Sequence, residues 1–178
     1  MRQWTEADLE PFAELNSDPI VMKYYPSMPT FDETAHWIEA VSQRMEERGF
    51  GLWVLEEKTS GEFVGYTGLS IPRFESHFTP TVEVGWRLVS EHWGKGYATE
   101  AGRRSLQFGF EDAGLTEIVS FTVPANEPSR AVMRRLGMTH DPNDDFDNPS
   151  IDESTGMKRH VLYRMPIDLW SSLSPVAD

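Results

Sequence analysis

The segment SEHWGKGYATEAG, residues 90–102, places two glycines on either side of a lysine, directly before a helix-like run. A strand-like stretch, TVEVGWRLV at 81–89, precedes it. The first backbone N–H groups of a helix have no acceptor within the helix, and they lie at the positive end of its dipole. Because glycine has no Cβ, an anion can approach closely. Residues 93–98 are therefore predicted to bind a phosphate group through backbone donors, although glycines so placed also serve simply to turn a strand into a helix.

Two widespread phosphate-binding motifs do not match this segment. A Walker A loop requires glycine at the position of Val89 and Ser or Thr at the position of Gly96. The dinucleotide fingerprint requires a third small residue where Thr99 stands. The second mismatch is the less decisive of the two. The pattern that remains is a strand followed by x-x-G-x-G-x-A at the start of a helix.

The composition indicates a single globular domain. The 178 residues are 39% hydrophobic and 25% charged, values that are ordinary for a chain of this size. Residues 1–170 are assigned to the domain, and 171–178 are expected to form a frayed tail. No apolar run is long enough to span a membrane, and no apolar signal segment follows Met1. A cytoplasmic location without a membrane partner is the simplest interpretation.

The charge balance narrows the classes of partner. The formal net charge is −13, so nucleic acid is not expected to bind. Such a surface attracts cationic amines, although acidic surfaces also serve solubility alone. The chain has no cysteine, which excludes disulfides, thiolate metal sites and thiol nucleophiles. The acidic segment 139–157 has oxygen ligands at calcium-loop spacings, but Phe146 stands where glycine is required, so a solvated loop without metal is predicted.

Hydrophobic periodicity predicts one mixed α/β domain. Helices are predicted between Thr5 and Asp18 and at 33–48, 95–113 and 126–137. Strands are predicted at 50–57, 63–71, 81–89, 117–123 and 160–167. Alternation along the third strand places Val82, Val84 and Trp86 on one face. The opposite face then carries Glu83, Gly85 and Arg87.

Two motifs together resemble those of a known family. WGKGYATEA (93–101) and NEPSRAVMRRLGM (126–138), at this separation, resemble the GNAT acetyltransferase superfamily, within it the RimJ/RimL-type branch. The resemblance covers the chain from about residue 2 to 167. It implies a mixed α/β (α+β) fold. In this fold a twisted, mostly antiparallel sheet of six or seven strands is flanked by helices. In that fold two parallel central strands, here 81–89 and 117–123, splay apart, and acetyl-CoA lies in the opening.

The resemblance also implies a set of cofactor-binding residues. The pyrophosphate of acetyl-CoA would lie on residues of the glycine segment, namely Trp93, Gly94, Lys95, Gly96, Tyr97 and Ala98. The pantetheine arm would pair with the strand at Leu88 and Val89, and N–H groups near Val89 would stabilise an oxyanion. Asn126 matches the family asparagine that hydrogen-bonds this arm. Ser129 matches a serine that can protonate the departing thiolate, although serine there also suits a helix cap.

An acetyl donor of this kind implies an amine acceptor and a base. An alkylammonium, with a pKa near ~10, must lose a proton before it can attack. Glu83 is the first candidate base, although it could instead pair with a basic neighbour. His160 is the second candidate, because histidine titrates in a useful range, although a lone strand histidine is often structural. The predicted enzyme is an N-acetyltransferase in which a primary amine, of a protein N-terminus or a small molecule, attacks directly in a ternary complex.

Two departures from the family pattern keep an alternative open. Many members carry a tyrosine at the position of Met133, and the loop usually begins with Gln or Arg at the position assigned to Glu91. A non-catalytic acyl-CoA-binding sensor or interaction module would explain both. The wall of the acceptor site is expected from 24–29, 73–81 and 139–157. The sequence does not identify the acceptor, and it leaves open whether the chain forms a homodimer.

Overall fold

The computed structural model describes residues 1–173. The helices are α1 (Leu9–Ser17), α2 (Phe31–Arg48), α3 (Tyr97–Gln107), α4 (Glu127–Arg135) and α5 (Ile167–Leu173). The strands are β1 (Leu52–Glu56), β2 (Phe63–Ser70), β3 (Glu83–Leu88), β4 (Glu117–Thr122), β5 (Thr139–His140), β6 (Phe146–Asp147) and β7 (Arg159–Pro166). The predicted tail begins inside α5, and its last part, 174–178, lies outside the described residues. No helix within 1–173 is long and apolar enough to cross a membrane.

One mixed sheet of seven strands organises the chain. The order is β1-β2-β3-β4-β7-β5, and β6 pairs with β7. All pairs are antiparallel except β3 with β4. These two strands are in register only at Glu83 and Val119, where the N–H of Val119 donates to the carbonyl of Val82 at 2.9 Å. Beyond that point they part, as the family resemblance predicted, and the predicted fold is confirmed.

The two faces of β3 differ as the alternation predicted. Val82 and Val84 are buried in the core beneath α3, α4 and α5, and Trp86 packs against the same cluster. Glu83 and Arg87 lie on the opposite face. A second core fills the space between the sheet and the first two helices, with an aromatic centre formed by Trp4, Phe12, Trp37 and Tyr66. The first core buries one face of β3, so the polar side chains of β3 lie on the face toward the second core.

The helix boundaries follow the capping chemistry of the sequence. Thr30 and Glu33 form a capping box at the start of α2, and Gly49 ends that helix with φ of 76°. The long helix predicted at 95–113 begins at Tyr97 and continues past Gln107 as one π-helical turn to Asp112.

The acidic segment 139–157 corrects the prediction of a solvated loop. It contributes β5 and β6 to the sheet, and Phe146 is 5% exposed. Phe146 contacts Phe74, Phe78 and Phe121 in an aromatic cluster. Burying an aromatic ring is strongly favourable, so one phenylalanine holds this otherwise acidic segment against the sheet. The position at which a calcium loop requires glycine thus belongs to a hydrophobic core.

Candidate active site

The parting of β3 and β4 opens a cleft with a volume of about 740 Å³. Its walls come from β3, from the glycine loop (residues 93–98), from the start of α4 and from segment 24–26. Most residues predicted for the site line it: Glu83, Leu88, Trp93, Gly94, Gly96, Tyr97, Ala98, Asn126 and Ser129. Val89 and the side chain of Lys95 lie outside these walls.

The glycine loop presents a run of unused backbone donors. The N–H of Trp93 donates to Ser90, and that of Thr99 donates to Gly96. Between them, the N–H groups of residues 94–98 have no backbone acceptor in the described part of the chain. Gly94 and Gly96 have φ of 74° and 90°, and a Cβ on either would project into open space. Alternating left- and right-handed backbone of this kind curves consecutive N–H groups around an anion.

Glu91 and Trp93 lie just before and at the start of the glycine loop. The carboxylate of Glu91 is exposed and lies outside the cleft walls, and Ser90 Oγ donates to Asp18 Oδ2 at 2.8 Å. An anion in the cleft is therefore expected to bind the backbone donors of the loop without help from Glu91. Trp93 Nε1 donates to the carbonyl of Leu88 at 2.9 Å, which ties the start of the loop to the end of β3.

Of the N–H groups near Val89 that were predicted to stabilise an oxyanion, that of Val89 itself is not available. The N–H of Val89 donates to the carbonyl of Val64 at 3.0 Å, so it points toward β2. Strand geometry alternates the direction of backbone groups, and the carbonyl of Val82 points toward β4. By this alternation the N–H groups of Trp86 and Leu88 also point toward β4, into the cleft. The sequence predicted the splayed strand. It did not show which N–H groups of that strand point toward β2 and which point toward β4.

Glu83 lies at the point where the two strands part. Burial raises the pKa of its carboxyl group to about 8, and a long hydrogen bond of 3.4 Å from Ser70 Oγ acts weakly in the opposite direction. No Lys, Arg or His within residues 1–173 forms an ion pair with it. The alternative of a carboxylate paired with a basic neighbour is therefore wrong. A carboxyl group with this pKa can gain and lose a proton near neutral pH.

His160 lies on the far wall of the cleft, at the start of β7. Its Nδ1 is 3.0 Å from the carbonyl of Lys158, which only accepts, so Nδ1 carries the proton and Nε2 keeps a lone pair. Burial lowers the pKa of the imidazole, and the ring contacts Phe121 and Phe146. His160 is thus neutral near pH 7, a hydrogen-bond acceptor but a weak base.

Asn126 and Ser129 lie together at the start of α4. Asn126 is the helix cap, because its Oδ1 accepts from the N–H of Ser129 at 3.3 Å, and its Nδ2 donates to Thr122 Oγ1 at 2.9 Å. The interpretation of Ser129 as the cap is therefore wrong. The Ser129 hydroxyl lines the cleft and has no hydrogen-bond partner among the described residues. Met133 is 1% exposed and belongs to the core, so the tyrosine position of other members is used here for packing.

The acceptor side of the cleft matches two of the three segments predicted for it. Tyr24, Tyr25 and Pro26 line it, and Ile151 comes from the acidic segment. Segment 73–81 contributes indirectly, because its phenylalanines pack behind the wall residue Phe121. This segment supports the wall without reaching the described cleft surface.

Tyr66, Ser70 and Arg87 are among the polar residues of the cleft to which sequence reasoning assigned no role. Tyr66 is opposite Arg87 and Ser70 is opposite Glu83 in the register of β2 with β3. The alternation along β3 placed Glu83 and Arg87 on one face. With the register of β2 against β3, the same alternation would also have placed Ser70 and Tyr66 on that face.

A split parallel pair with a donor-rich glycine loop at its open end defines an acyl-CoA-dependent acetyltransferase of the GNAT class. Residues 1–139 match the family described as acetyltransferase (GNAT) domain, and the chain belongs to this family. The RimJ/RimL-like resemblance inferred from the two motifs is confirmed. The protein is an N-acetyltransferase that uses acetyl-CoA.

Individual relatives agree with this assignment. The chain is 32% identical to YkkB of Bacillus subtilis over 127 residues, which cover 71% of this chain and 73% of that protein. It is 37% identical over 136 residues to the FsC-acetyl coenzyme A-N(2)-transacetylase of Aspergillus fumigatus, covering 71% of this chain and 56% of that protein. Among solved structures, an acetyltransferase from Agrobacterium tumefaciens superposes with a TM-score of 0.74 at 26% identity, covering 92% of this chain and 88% of the other.

Proposed function

We propose that the cleft binds acetyl-CoA and passes its acetyl group directly to a primary amine. One observation carries the proposal. Five consecutive N–H groups, at residues 94–98, lack backbone acceptors in the described chain, and each of these residues except Lys95 lines the cleft. The pyrophosphate binds these donors at the positive end of α3. The side chain of Arg135, which also lines the cleft, adds a positive charge beside them.

The pantetheine arm binds along the open edge of β3. The N–H groups of Trp86 and Leu88 face this edge, and Asn126 lies across the gap at the head of α4. The arm carries amide groups that pair with such donors as an added strand would. A donor on this edge also stabilises the negative charge that develops on the thioester oxygen during attack.

Glu83 is the base in this proposal. The acceptor enters as an ammonium ion, and its proton passes to the Glu83 carboxylate directly or through a water molecule. A pKa of about 8 makes Glu83 a stronger base than an ordinary carboxylate. His160, whose pKa is lowered by burial, serves better as an acceptor that orients the amine or the water. The amine nitrogen then forms the C–N bond as the C–S bond breaks.

The departing sulfur takes its proton from Ser129, and the proton that the newly acylated nitrogen releases restores the hydroxyl, directly or through a water molecule. The Ser129 hydroxyl lies in the cleft without a hydrogen-bond partner in the described region, and the capping bond of Asn126 fixes its backbone. We expect Ser129→Ala to lower kcat by about tenfold or more while leaving the Kd of acetyl-CoA unchanged, because the loss affects only the leaving group. Steady-state assays of thiol release measure kcat, and calorimetric titration measures the Kd of acetyl-CoA. Ser172→Ala, on the surface helix α5, is a matched control, and an unchanged kcat for Ser129→Ala would remove this role.

Release of free thiol from acetyl-CoA tests the proposed function. The protein is incubated with acetyl-CoA and a panel of amino acids, peptides, polyamines and aminoglycosides. We expect thiol release above the rate of hydrolysis with at least one primary amine, together with thermal stabilisation by acetyl-CoA. Stabilisation without turnover on any acceptor would favour the acyl-CoA sensor instead. Absence of stabilisation would contradict the cofactor site itself.

A further inference from the structure

Arg87 is a half-buried cation on the acceptor side of the cleft. Its Cζ lies 3.9 Å from the ring centre of Tyr25 and 5.6 Å from that of Tyr66. A guanidinium stacked on a ring keeps only its in-plane edges for hydrogen bonds. Nη1 donates to Asn16 Oδ1 at 2.6 Å. Nε is buried and has no hydrogen-bond partner in the described chain.

No carboxylate within residues 1–173 forms an ion pair with Arg87. The chain has 29 acidic residues against 16 basic ones, so carboxylates are in ample supply, yet none is placed here. A buried charge is costly unless it is paired. An unpaired guanidinium in a cleft wall is therefore suited to an anion that arrives with a ligand.

The guanidinium is held in one orientation before any ligand binds. Asn16, which accepts from it, is 1% exposed, and its Nδ2 donates to Thr34 Oγ1 at 3.0 Å. Thr34 in turn donates to the carbonyl of Thr30 at 2.9 Å. This chain of hydrogen bonds leads to the capping box of α2. A cation fixed in this way loses little conformational entropy when it binds a planar anion.

We propose that the acceptor amine also carries a carboxylate and that Arg87 binds this carboxylate. The inference rests on the proposed function and specifies its acceptor as a small amino-acid-like molecule. A carboxylate presents two oxygens in one plane, which match an edge of the guanidinium. Such an acceptor is zwitterionic, so the acidic surface does not repel it as a whole.

The arrangement along β3 supports this order of groups. Glu83, Gly85 and Arg87 are alternate residues on one face, and the outer two Cα atoms are about 13 Å apart. A Cβ added to Gly85 would meet only Glu83 Oε1, at 3.9 Å. The floor between the carboxyl group and the guanidinium is therefore bare. An acceptor lying along it, with its amine at the end of a long side chain or of a short peptide, places its ammonium toward Glu83 and its carboxylate toward Arg87.

A smaller pocket on the other side of Arg87 offers a less suitable position for the anion. This pocket of about 240 Å³ is also lined by Glu33 and Trp37. The Glu33 carboxylate accepts from the N–H of Thr30 at 2.8 Å, so a negative charge already lies in this pocket. The carboxylate of the acceptor accordingly binds in the main cleft.

Paired acceptors with and without a free carboxylate test the inference, at a pH where the amines of both are largely deprotonated. Thiol release from acetyl-CoA is measured with amino acids and with their methyl esters, and with polyamines and aminoglycosides as amines that lack a carboxylate. We expect the best amino acid to exceed its ester in kcat/KM by about tenfold or more, mainly through a lower KM, as for a hydrogen-bonded ion pair. If esters or polyamines are preferred, the inference fails while the proposed function stands. If no amine is acetylated, the proposed function fails as well.

Variants of Arg87 distinguish recognition of the acceptor carboxylate from structural support of Tyr25, on whose ring the guanidinium stacks. In Arg87→Met we expect the preference for the acid over its ester to disappear, while the Kd of acetyl-CoA stays at the wild-type value. Arg87→Lys should retain part of the preference, because it keeps the charge but lacks the planar edge. Arg48→Met, at the exposed end of α2, is the matched control. Equal losses for acid and ester in Arg87→Met, with the preference intact, would overturn the inference and indicate a purely structural role.

Discussion

Replacing Gly96 with valine is expected to abolish measurable acetyl-CoA binding, with Kd rising by about a hundredfold or more, or about 2.7 kcal/mol. The Cβ of residue 96 would point into the open space beside the loop, which is where we propose that the pyrophosphate binds. The residue also has φ of 90°, which a β-branched side chain does not readily adopt. Both effects remove the curved row of donors. Calorimetric titration with acetyl-CoA measures the loss.

Strain alone must be separated from loss of the site. Gly49 has φ of 76°, and a Cβ there would likewise meet nothing within 4 Å, but it lies at the end of α2, outside the cleft walls. Gly49→Val should therefore lose comparable thermal stability and keep wild-type affinity for acetyl-CoA. A folded Gly96→Val protein that binds acetyl-CoA normally would show that the glycine loop is only a turn.

Replacing Glu83 with glutamine is expected to lower kcat/KM by about a hundredfold, because an amide of the same shape cannot accept the amine proton. In the wild type, kcat/KM should rise with pH and level off above about 8, as Glu83 loses its own proton. The variant should lack this limb. Ionisation of the acceptor gives a second limb near its own pKa, and that limb moves when the acceptor is changed. The two origins are therefore distinguishable in pH–rate profiles with two amines.

The stability of the same variant excludes unfolding as the cause. The pKa of Glu83 is raised from an ordinary 4.5 to about 8 in the folded protein. The unfolded chain therefore releases this proton at lower pH, and the folded state loses stability as pH rises from about 4.5 to about 8. Glutamine carries no such penalty. Thermal melts should show the Tm of Glu83→Gln rising relative to that of the wild type between about pH 4 and about pH 8. Wild-type activity in the variant would contradict the catalytic role of Glu83.

Much of the fold could be predicted because its signals are local. Glycines at the ends of helices, the capping box of α2 and the alternation along β3 are each contained in a few neighbouring residues. The two motifs at 93–101 and 126–138 supplied the rest through family resemblance. The same local signals placed Glu83 in the site, and its burial without an ion-pair partner then accounts for the raised pKa.

The errors have a common physical origin in long-range pairing. Val89 was predicted to belong to the cofactor site because the sequence does not show that its N–H bonds to Val64 of β2. Phe146 was placed in a solvated loop because its ring neighbours are distant in sequence. Arg87 remained without a role because an unpaired charge is recognised only when all possible partners have been located. Sequence periodicity gives the face of a strand, but only the assembled sheet gives its contacts.

A crystal structure of the protein with acetyl-CoA tests the central claim most directly. The pyrophosphate oxygens should lie about 2.9 Å from N–H groups of residues 94–98. The pantetheine should run between β3 and β4, with its amides paired to the N–H groups of Trp86 and Leu88 and its thioester toward Glu83. A cofactor bound outside this cleft, or one whose pyrophosphate makes no contact with the glycine loop, would contradict the account.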